Sequence, residues 1–326
     1  MTASLPERPA SRIMSRILAA LCLLYGVTAS LHLLLRLLVG EQFLPVTLLD
    51  QYLPAFWLLA LPVMVICIGL RRWRSLALQL PPLILLISSY GVLFVPRPAI
   101  PARDDGLTLL TFNVSKDNRD FEGIARTVRA VGADVVALQE ITPAAALYLE
   151  AALADEYPYQ ALHPADSYPG QGILSQYPLQ DDDYWQIELG HQRVTLNIDD
   201  RQVALYSVHP VHPFLPERGF FNTEPRAREI NDILLRVEGE TIPAIVAGDF
   251  NMSDQTDDYF KITNALRDAF RARGSGFGFT FPSWIPIARL DYVFTSDAIA
   301  AIDAHVWSSN GGSDHFPLVV SLAFGR

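Results

Sequence analysis

The chain has 326 residues, two cysteines and a formal net charge of −10, and its composition breaks near Pro101. Residues 1–100 hold eight arginines against three acids (Glu7, Glu41, Asp50), whereas residues 101–326 hold 17 Lys/Arg against 32 Asp/Glu, giving +5 and −15. Both cysteines, Cys22 and Cys67, fall in the first part. The second part therefore has neither disulfide staples nor a thiol nucleophile, and about 225 residues suffice to bury a core without them.

Three apolar runs, at 17–39, 53–70 and 76–95, each reach or approach the ~20 residues that a helix needs to cross hydrocarbon. A cleaved signal peptide has one shorter core, so three successive runs predict an anchor of about three transmembrane helices over residues 1–100. The prolines at 62, 81 and 82 are tolerable in a packed membrane bundle. Arg8, Arg12 and Arg16 precede the first run, and Arg71, Arg72 and Arg74 separate the second from the third. The loop between the first two runs carries Glu41 and Asp50 and no Lys or Arg. Positive residues stay inside, so the amino terminus is expected in the cytoplasm of a plasma (inner) membrane protein. Three spans then deliver residues 101–326 to the periplasm or exterior. Arg36 is expected to snorkel to the outer interface, and Pro96, Pro98 and Pro101 mark a short stiff linker.

Beyond the linker, apolar runs predict strands at 107–114, 134–139, 172–175, 193–198, 202–208, 242–247, 290–294, 299–306 and 317–321. Helices are predicted at 121–131, 143–154, 222–237 and 259–270, the third capped by Asn222 or Thr223. Near-continuous apolar strands with interspersed helices imply an α/β domain of two packed sheets with helices outside.

Several of these strands begin or end in polar residues that burial does not explain. They are Thr111-Phe112-Asn113, Leu138-Gln139-Glu140, Ser207-Val208-His209-Pro210, Ala247-Gly248-Asp249-Phe250-Asn251, Arg289-Leu290-Asp291-Tyr292 and Gly312-Ser313-Asp314-His315-Phe316-Pro317. Carboxylates, amides and imidazoles at strand ends are what a hard-cation phosphate site needs, since Mg²⁺ takes oxygen ligands and shares its remaining positions with phosphate. Each motif alone is weak; six in order are not. Together they resemble the endonuclease/exonuclease/phosphatase superfamily, the DNase I-like group, over roughly residues 107–322. Gly172-Ile173-Leu174-Ser175, Tyr177-Pro178 and Thr280-Phe281-Pro282 are further matches.

The resemblance implies a four-layer α/β/β/α sandwich with its site at one edge of the paired sheets. It also implies Mg²⁺ (or Mn²⁺) held by Glu140, with Asn113 and Asp314 beside it. Asp249 would orient or deprotonate the attacking water, and Asn251 would hold a non-bridging phosphate oxygen. His315 would pair with Asp291 and exchange protons near neutral pH. His209 matches the position that contacts phosphate or protonates the leaving oxygen. The plainer alternatives are a strand-capping surface carboxylate for Glu140 and an Asx turn for Asp249 and Asn251. The pattern does not clearly demand His212, and His163, His191 and His305 read as ordinary surface or core residues.

For the substrate, a domain this acidic argues against a polyanion such as DNA or RNA. Arg226/Arg228 and Arg267/Arg271/Arg273 read as helix faces. Two loops beside candidate catalytic residues are apolar: Phe214, Leu215, Phe220 and Phe221 in one, and Phe277, Phe279, Phe281, Trp284, Ile285 and Ile287 in the other. They form either a lip for lipid chains or core filling, and core filling is expected of Phe281. Tethering raises the effective concentration of the site towards lipid headgroups, so the expected substrate is an envelope phospholipid or polyprenyl phosphate or pyrophosphate. Membrane-anchored bacterial members of the superfamily that resemble the teicoplanin-resistance protein, which acts on polyprenyl (pyro)phosphate carriers, share this layout. An extracytoplasmic nuclease or nucleotide phosphodiesterase is the second expectation, and an anchored binding module with a decayed site the third.

Overall fold

A computed structural model describes residues 9–98, 100, 106–214 and 221–325, and divides into two compact units, Met1–Val92 and Leu93–Arg326. The expectations for Arg8, Leu215 and Phe220 fall outside the described residues.

The first unit is helical: α1 (Pro9–Leu38), α2 (Leu44–Asp50), α3 (Leu53–Leu58), α4 (Ala60–Gly69), α5 (Trp73–Ala77) and α6 (Leu80–Tyr90). Among the described residues two helices are long and apolar enough to cross a membrane, Arg12–Leu38 and Trp73–Phe94. The expected middle span, 53–70, is not among them; its helix, Leu53–Gly69, is one arm of a pair with Leu44–Asp50 that is bent by 80°. Pro54, which lacks an N–H, opens the helix after the break. The bend buries Asp50, expected in a loop, against α1: His32 Nε2 lies 2.9 Å from Asp50 Oδ1 and Arg36 Nε lies 3.6 Å from Oδ2. Arg36 therefore balances a buried acid.

The first residues of the second unit lie against a loop of the same unit. Leu93 O accepts from Gly276 N (2.9 Å) and Ser275 Oγ (3.2 Å). The rings of Phe94 and Phe277 meet at 5.0 Å, and Arg97 Nη1 donates to Arg271 O at 3.1 Å. The chain then alternates: β1 (Gly106–Asn113), α7 (Phe121–Val131), β2 (Val135–Gln139), α8 (Pro143–Ala152), β3 (Tyr159–His163), β4 (Gln171–Ser175), β5 (Leu179–Gln186), β6 (Gly190–Ile198) and β7 (Arg201–Val208). It continues with α9 (Glu224–Glu238), β8 (Ala244–Asp249), α10 (Asp257–Thr263), β9 (Arg267–Asp268), α11 (Ala269–Arg273), β10 (Asp291–Thr295), β11 (Ile299–Val306) and β12 (Leu318–Phe324).

Two six-stranded sheets result, ordered β11-β12-β1-β2-β4-β3 and β5-β6-β7-β8-β10-β9. The expected helix at 259–270 is interrupted. Arg267–Asp268 pairs with β10, and the Asp268 side chain then caps α11 by accepting from Arg271 N. Thr223 precedes α9 but makes no side-chain cap; Asn222 Oδ1 accepts from Glu224 N instead. Elsewhere caps form as the residue types dictate, with Asp120 accepting from Gly123 N at α7 and Thr142 from Ala145 N at α8.

Alternation sorts the side chains into four layers. Leu110, Phe112, Val136 and Leu138 pack with Ile124, Val128 and Leu149 of α7 and α8. Tyr206, Val208, Val246 and Tyr292 pack with Ile230, Ile233, Tyr259 and Ile262 of α9 and α10. The intervening residues, among them Leu109, Ile173, Leu205 and Ile245, are equally buried and fill the space between the sheets. Towards the site this interior turns polar: Gln139 Nε2 donates to Ser207 Oγ (3.1 Å), which donates to Gln171 Oε1 (2.7 Å).

Each sheet has one central parallel pair, β1 with β2 and β7 with β8. Gly248 is needed where β8 passes β7: its φ is +151°, and a Cβ there would stand 1.9 Å from Val208 O. Gly248→Ala is therefore expected to destabilise the domain by about 2 kcal/mol or more, lowering the thermal midpoint by at least about 4 °C. Differential scanning fluorimetry of the purified full chain checks this.

Candidate active site

Strand register brings distant residues to one edge. Asn113 is level with Gln139 across the parallel β1–β2 pair, which places Glu140 just beyond it. Asp249 and Asp291 are direct cross-strand partners in β8 and β10. Val208 is level with Gly248, so His209 follows beside Asp249. Between the sheets, Asn113 Nδ2 donates to Glu140 Oε1 and to Asp249 Oδ2, both at 3.0 Å. His315 Nδ1 and Asp291 Oδ2 are 2.8 Å apart, and His315 Nε2 lies 3.6 Å from Asp249 Oδ2. His209 Nε2 lies 3.6 Å from that same oxygen and 3.8 Å from Glu140 Oε1. All eight residues singled out from the sequence thus stand at one sheet edge or its rim.

They border a cavity of about 510 Å³ lined by Glu140, His209, His212, Asp249, Asn251, Asp314 and His315 and by apolar Leu189, Val211, Phe214 and Phe281. Phe281, expected to fill the core, is only half-buried. It is a wall of the cavity, its ring 4.8 Å from that of His315. Glu140 and Asn251 adopt left-handed backbones, φ 59° and 50°, which for residues other than glycine costs about 1 kcal/mol or more. Glu140 is nearly buried and holds Lys116 N on Oε2 (3.0 Å), so it is no surface cap. Asn251 N does donate to Asp249 Oδ1 (2.9 Å), so the Asx turn and the site coexist.

Asn113 Oδ1 accepts from Ser115 N (2.9 Å) and its amide nitrogen faces the carboxylates, so it bridges Glu140 and Asp249 as a donor. Asp314 is exposed at the rim, and its backbone O accepts from Ser283 N (2.7 Å).

Burial disfavours a charged His315 ring, but the carboxylates of Asp291 and then Asp249 outweigh it and raise its pKa from 6.5 to about 10. A ring held charged in this way donates towards Asp291 and faces Asp249. Burial pushes the His212 pKa below 6.5. Its Nδ1 accepts from Phe214 N at 3.1 Å.

The donor set suits a hard divalent cation. Among the described residues the cavity wall carries three carboxylates and no Lys or Arg, and the buried Asp291 Oδ1 has no hydrogen-bond partner. Oxygen donors are the choice of Mg²⁺ and Mn²⁺. One group of donor atoms, from Asp249, Asp291 and His315, lies within 4.8 Å of one another. Its closeness comes from the His315–Asp291 hydrogen bond, which already occupies Nδ1 and Oδ2, while Glu140 and Asp314 line the same cavity.

One functional side chain was read wrongly from the sequence. Arg226, expected on an exposed helix face, is fully buried; Nη1 donates to Asn251 O (2.5 Å) and Nε to Asp258 Oδ2 (3.1 Å). The signal was present, because Arg226 shares a helical stripe with Ile230 and Ile233. His163 and His305 pair with Asp182 and Asp303 at the surface, away from the cavity.

Two sheets sandwiched between helices, with acids and imidazoles gathered at the ends of their parallel strands, define a hydrolase acting on phosphoester bonds. The description Endonuclease/Exonuclease/phosphatase family matches residues 110–315, and the chain belongs to that family. Similar solved structures include TDP2 from D. rerio complexed with a single-strand DNA product (TM-score 0.57, 16% identity, 68% of this chain and 100% of that one). The endonuclease/exonuclease/phosphatase from Bacteroides vulgatus gives 0.55, 18%, 67% and 99%. A family protein from Leptotrichia buccalis C-1013-b gives 0.54, 20%, 67% and 100%. At such identities they establish the DNase I-like fold alone. No curated protein matches the chain at a significant level.

A raised folded-state pKa stabilises the protein fully below the unfolded value near 6.5 and ceases to do so as pH rises through about 10. With chelator present, the thermal midpoint is therefore expected to fall between those values, and Asp291→Asn to flatten the decline. The His315 ring signal in ¹⁵N NMR of the folded protein should titrate at the upper end of this window, at about pH 10.

Proposed function

We propose that the chain is a membrane-anchored, Mg²⁺- or Mn²⁺-dependent hydrolase of an envelope lipid phosphate or pyrophosphate, cleaved by direct attack of water. One observation supports the metal dependence: among the described residues the cavity lining carries the carboxylates of Glu140, Asp249 and Asp314 and no Lys or Arg, and these acids would repel phosphate unless a cation intervened. Glu140 and Asp314 would hold the cation, which would supply neutralisation of the charge accumulating on the phosphoryl oxygens. Asp249, facing both His209 and His315 at 3.6 Å, orients the water and takes its proton. His315, kept charged by Asp291, and Asn251 face the phosphoryl oxygens, and His209 delivers a proton to the leaving oxygen.

The apolar side of the same cavity supports a lipid. Leu189, Val211, Phe214 and Phe281 line it, and beyond Phe281 the loop carries exposed Trp284 (81%), Ile285 and Ile287. Two helices apolar enough to cross a membrane in the same chain give such a site a reason to face lipid. We take the bent pair as a third crossing; with the arginine clusters inside, the hydrolase domain then faces the periplasm or exterior, as in the branch resembling the teicoplanin-resistance protein. A second reading, an extracytoplasmic nuclease or nucleotide phosphodiesterase, draws on the fold shared with TDP2, which was crystallised with a single-strand DNA product.

A substrate panel separates them. Full-length protein with Mg²⁺ is expected to release phosphate from polyprenyl or phospholipid phosphates in mixed micelles and to leave plasmid DNA and RNA intact. EDTA should abolish turnover and Mn²⁺ restore it. Glu140→Ala and Asp249→Asn should each lower kcat by roughly 10²–10³-fold. DNA nicking without lipid turnover would replace the lipid reading with the nuclease. A periplasm-active reporter after Arg326 should be active, whereas activity only of a cytoplasmic reporter would reverse the topology.

A further inference from the structure

Behind His209 lies a second buried acid–imidazole pair that the catalytic scheme does not use. His191, in β6 opposite Val208, is completely buried, and so is Glu229 of α9. His209 N donates to His191 Nδ1 at 3.2 Å. Because Nδ1 accepts, a neutral His191 ring must carry its proton on Nε2, which stands 3.3 Å from Glu229 Oε1. Glu229 also gathers the surrounding backbone: Oε1 accepts from Glu188 N (3.0 Å) and Leu189 N (2.7 Å), and Oε2 from Val211 N (2.6 Å). Leu189, His209 and Val211 are all walls of the catalytic cavity.

A carboxylate in a dry interior is costly unless its oxygens are satisfied. Here one side chain is satisfied by three N–H groups of two separate active-site loops and by one imidazole. The ring of His209 itself has few other constraints. Its Nδ1 meets Tyr168 O at 3.2 Å, and its Nε2 points towards Asp249 and Glu140. The peptide from which that ring hangs is fixed by His191, and His191 by Glu229.

We propose that Glu229 and His191 are positioning residues for hydrolysis. Together they set where His209 Nε2 stands relative to the phosphoryl group, and neither touches substrate. A hydrophobic pair of similar size could fill this space but could not accept the four donors. The arrangement therefore serves geometry at the site more than packing.

The inference rests on the hydrolase assignment, and the test separates the two. Full-length wild type, Glu229→Gln, His191→Asn and His191→Phe are assayed in micelles with Mg²⁺ and bis(4-nitrophenyl) phosphate, alongside thermal midpoints. Glu229→Gln and His191→Phe should lose about 10–100-fold in kcat, the loss typical of outer partners of active-site ligands. KM should stay within about threefold, since ground-state binding is untouched. His191→Asn, whose amide oxygen can stand where Nδ1 accepted, should recover much of the His191→Phe loss. In ¹⁵N-histidine spectra of chelated wild type, His191 should be the Nε2–H tautomer. Full kcat in Glu229→Gln and His191→Phe, no advantage of Asn over Phe, or an Nδ1–H tautomer would each overturn the proposal. A wild type inert towards every phosphoester would sink only the hydrolase assignment; the tautomer then decides the geometry without any variant.

Discussion

Carboxylates repel one another, and the fold gathers them anyway. Two oxygens that both accept from Asn113 Nδ2 at 3.0 Å, one from Glu140 and one from Asp249, lie within about 6 Å of each other. At an effective dielectric of about 20, two like charges at that distance repel by about 3 kcal/mol. Asp291 adds a third, buried, charge in direct cross-strand register with Asp249. The donors of Asn113 and the charged ring of His315 offset part of this repulsion. Under the proposed function a divalent cation would supply the remaining counterweight.

How they are held follows from the sheet topology. Parallel central pairs in both sheets carry their strand ends to one edge, so Asn113, Glu140, His209 and Asp249 arrive together from four strands. Turning the chain there takes two left-handed residues, Glu140 and Asn251, and a glycine at 248. These strained positions persist because neighbours over-determine them: Lys116 N fixes Glu140, and Arg226 and Asp249 fix Asn251 from two sides. Helix α9 supports the site from below with two buried charges, Arg226 under Asn251 and Glu229 behind His209.

Much of this was legible in the residues. Apolar runs marked the central strands, because strands buried on both faces leave no polar alternation to obscure them, and the polar residues at their ends marked the site. The edge strands β3 and β5 were missed. Leu179–Gln186 carries Asp181, Asp182 and Asp183 on an exposed edge and shows no apolar period. The helix at 259–270 was overextended because nothing local signals that Arg267–Asp268 pairs with β10. The His315–Asp291 pair was legible through the family resemblance, but the added pull of Asp249 on the buried ring came only with the fold. Arg226 and His191 looked ordinary because their partners, Asn251 and Glu229, are 25 and 38 residues away.

In the apolar third, Asp50 meets His32 and Arg36 where a straight span would have left it in a loop. Long-range pairing of charge thus decides the detail in both parts of the chain. The claim on which everything rests is that Glu140 and its neighbours bind one divalent cation beside the imidazoles. Pulsed EPR of the chelated protein reloaded with Mn²⁺ tests it most directly. A tight site that disappears in Glu140→Ala and survives in His163→Ala is the predicted result. Mn²⁺ bound equally well by the Glu140→Ala protein, or not bound by wild type, would contradict it.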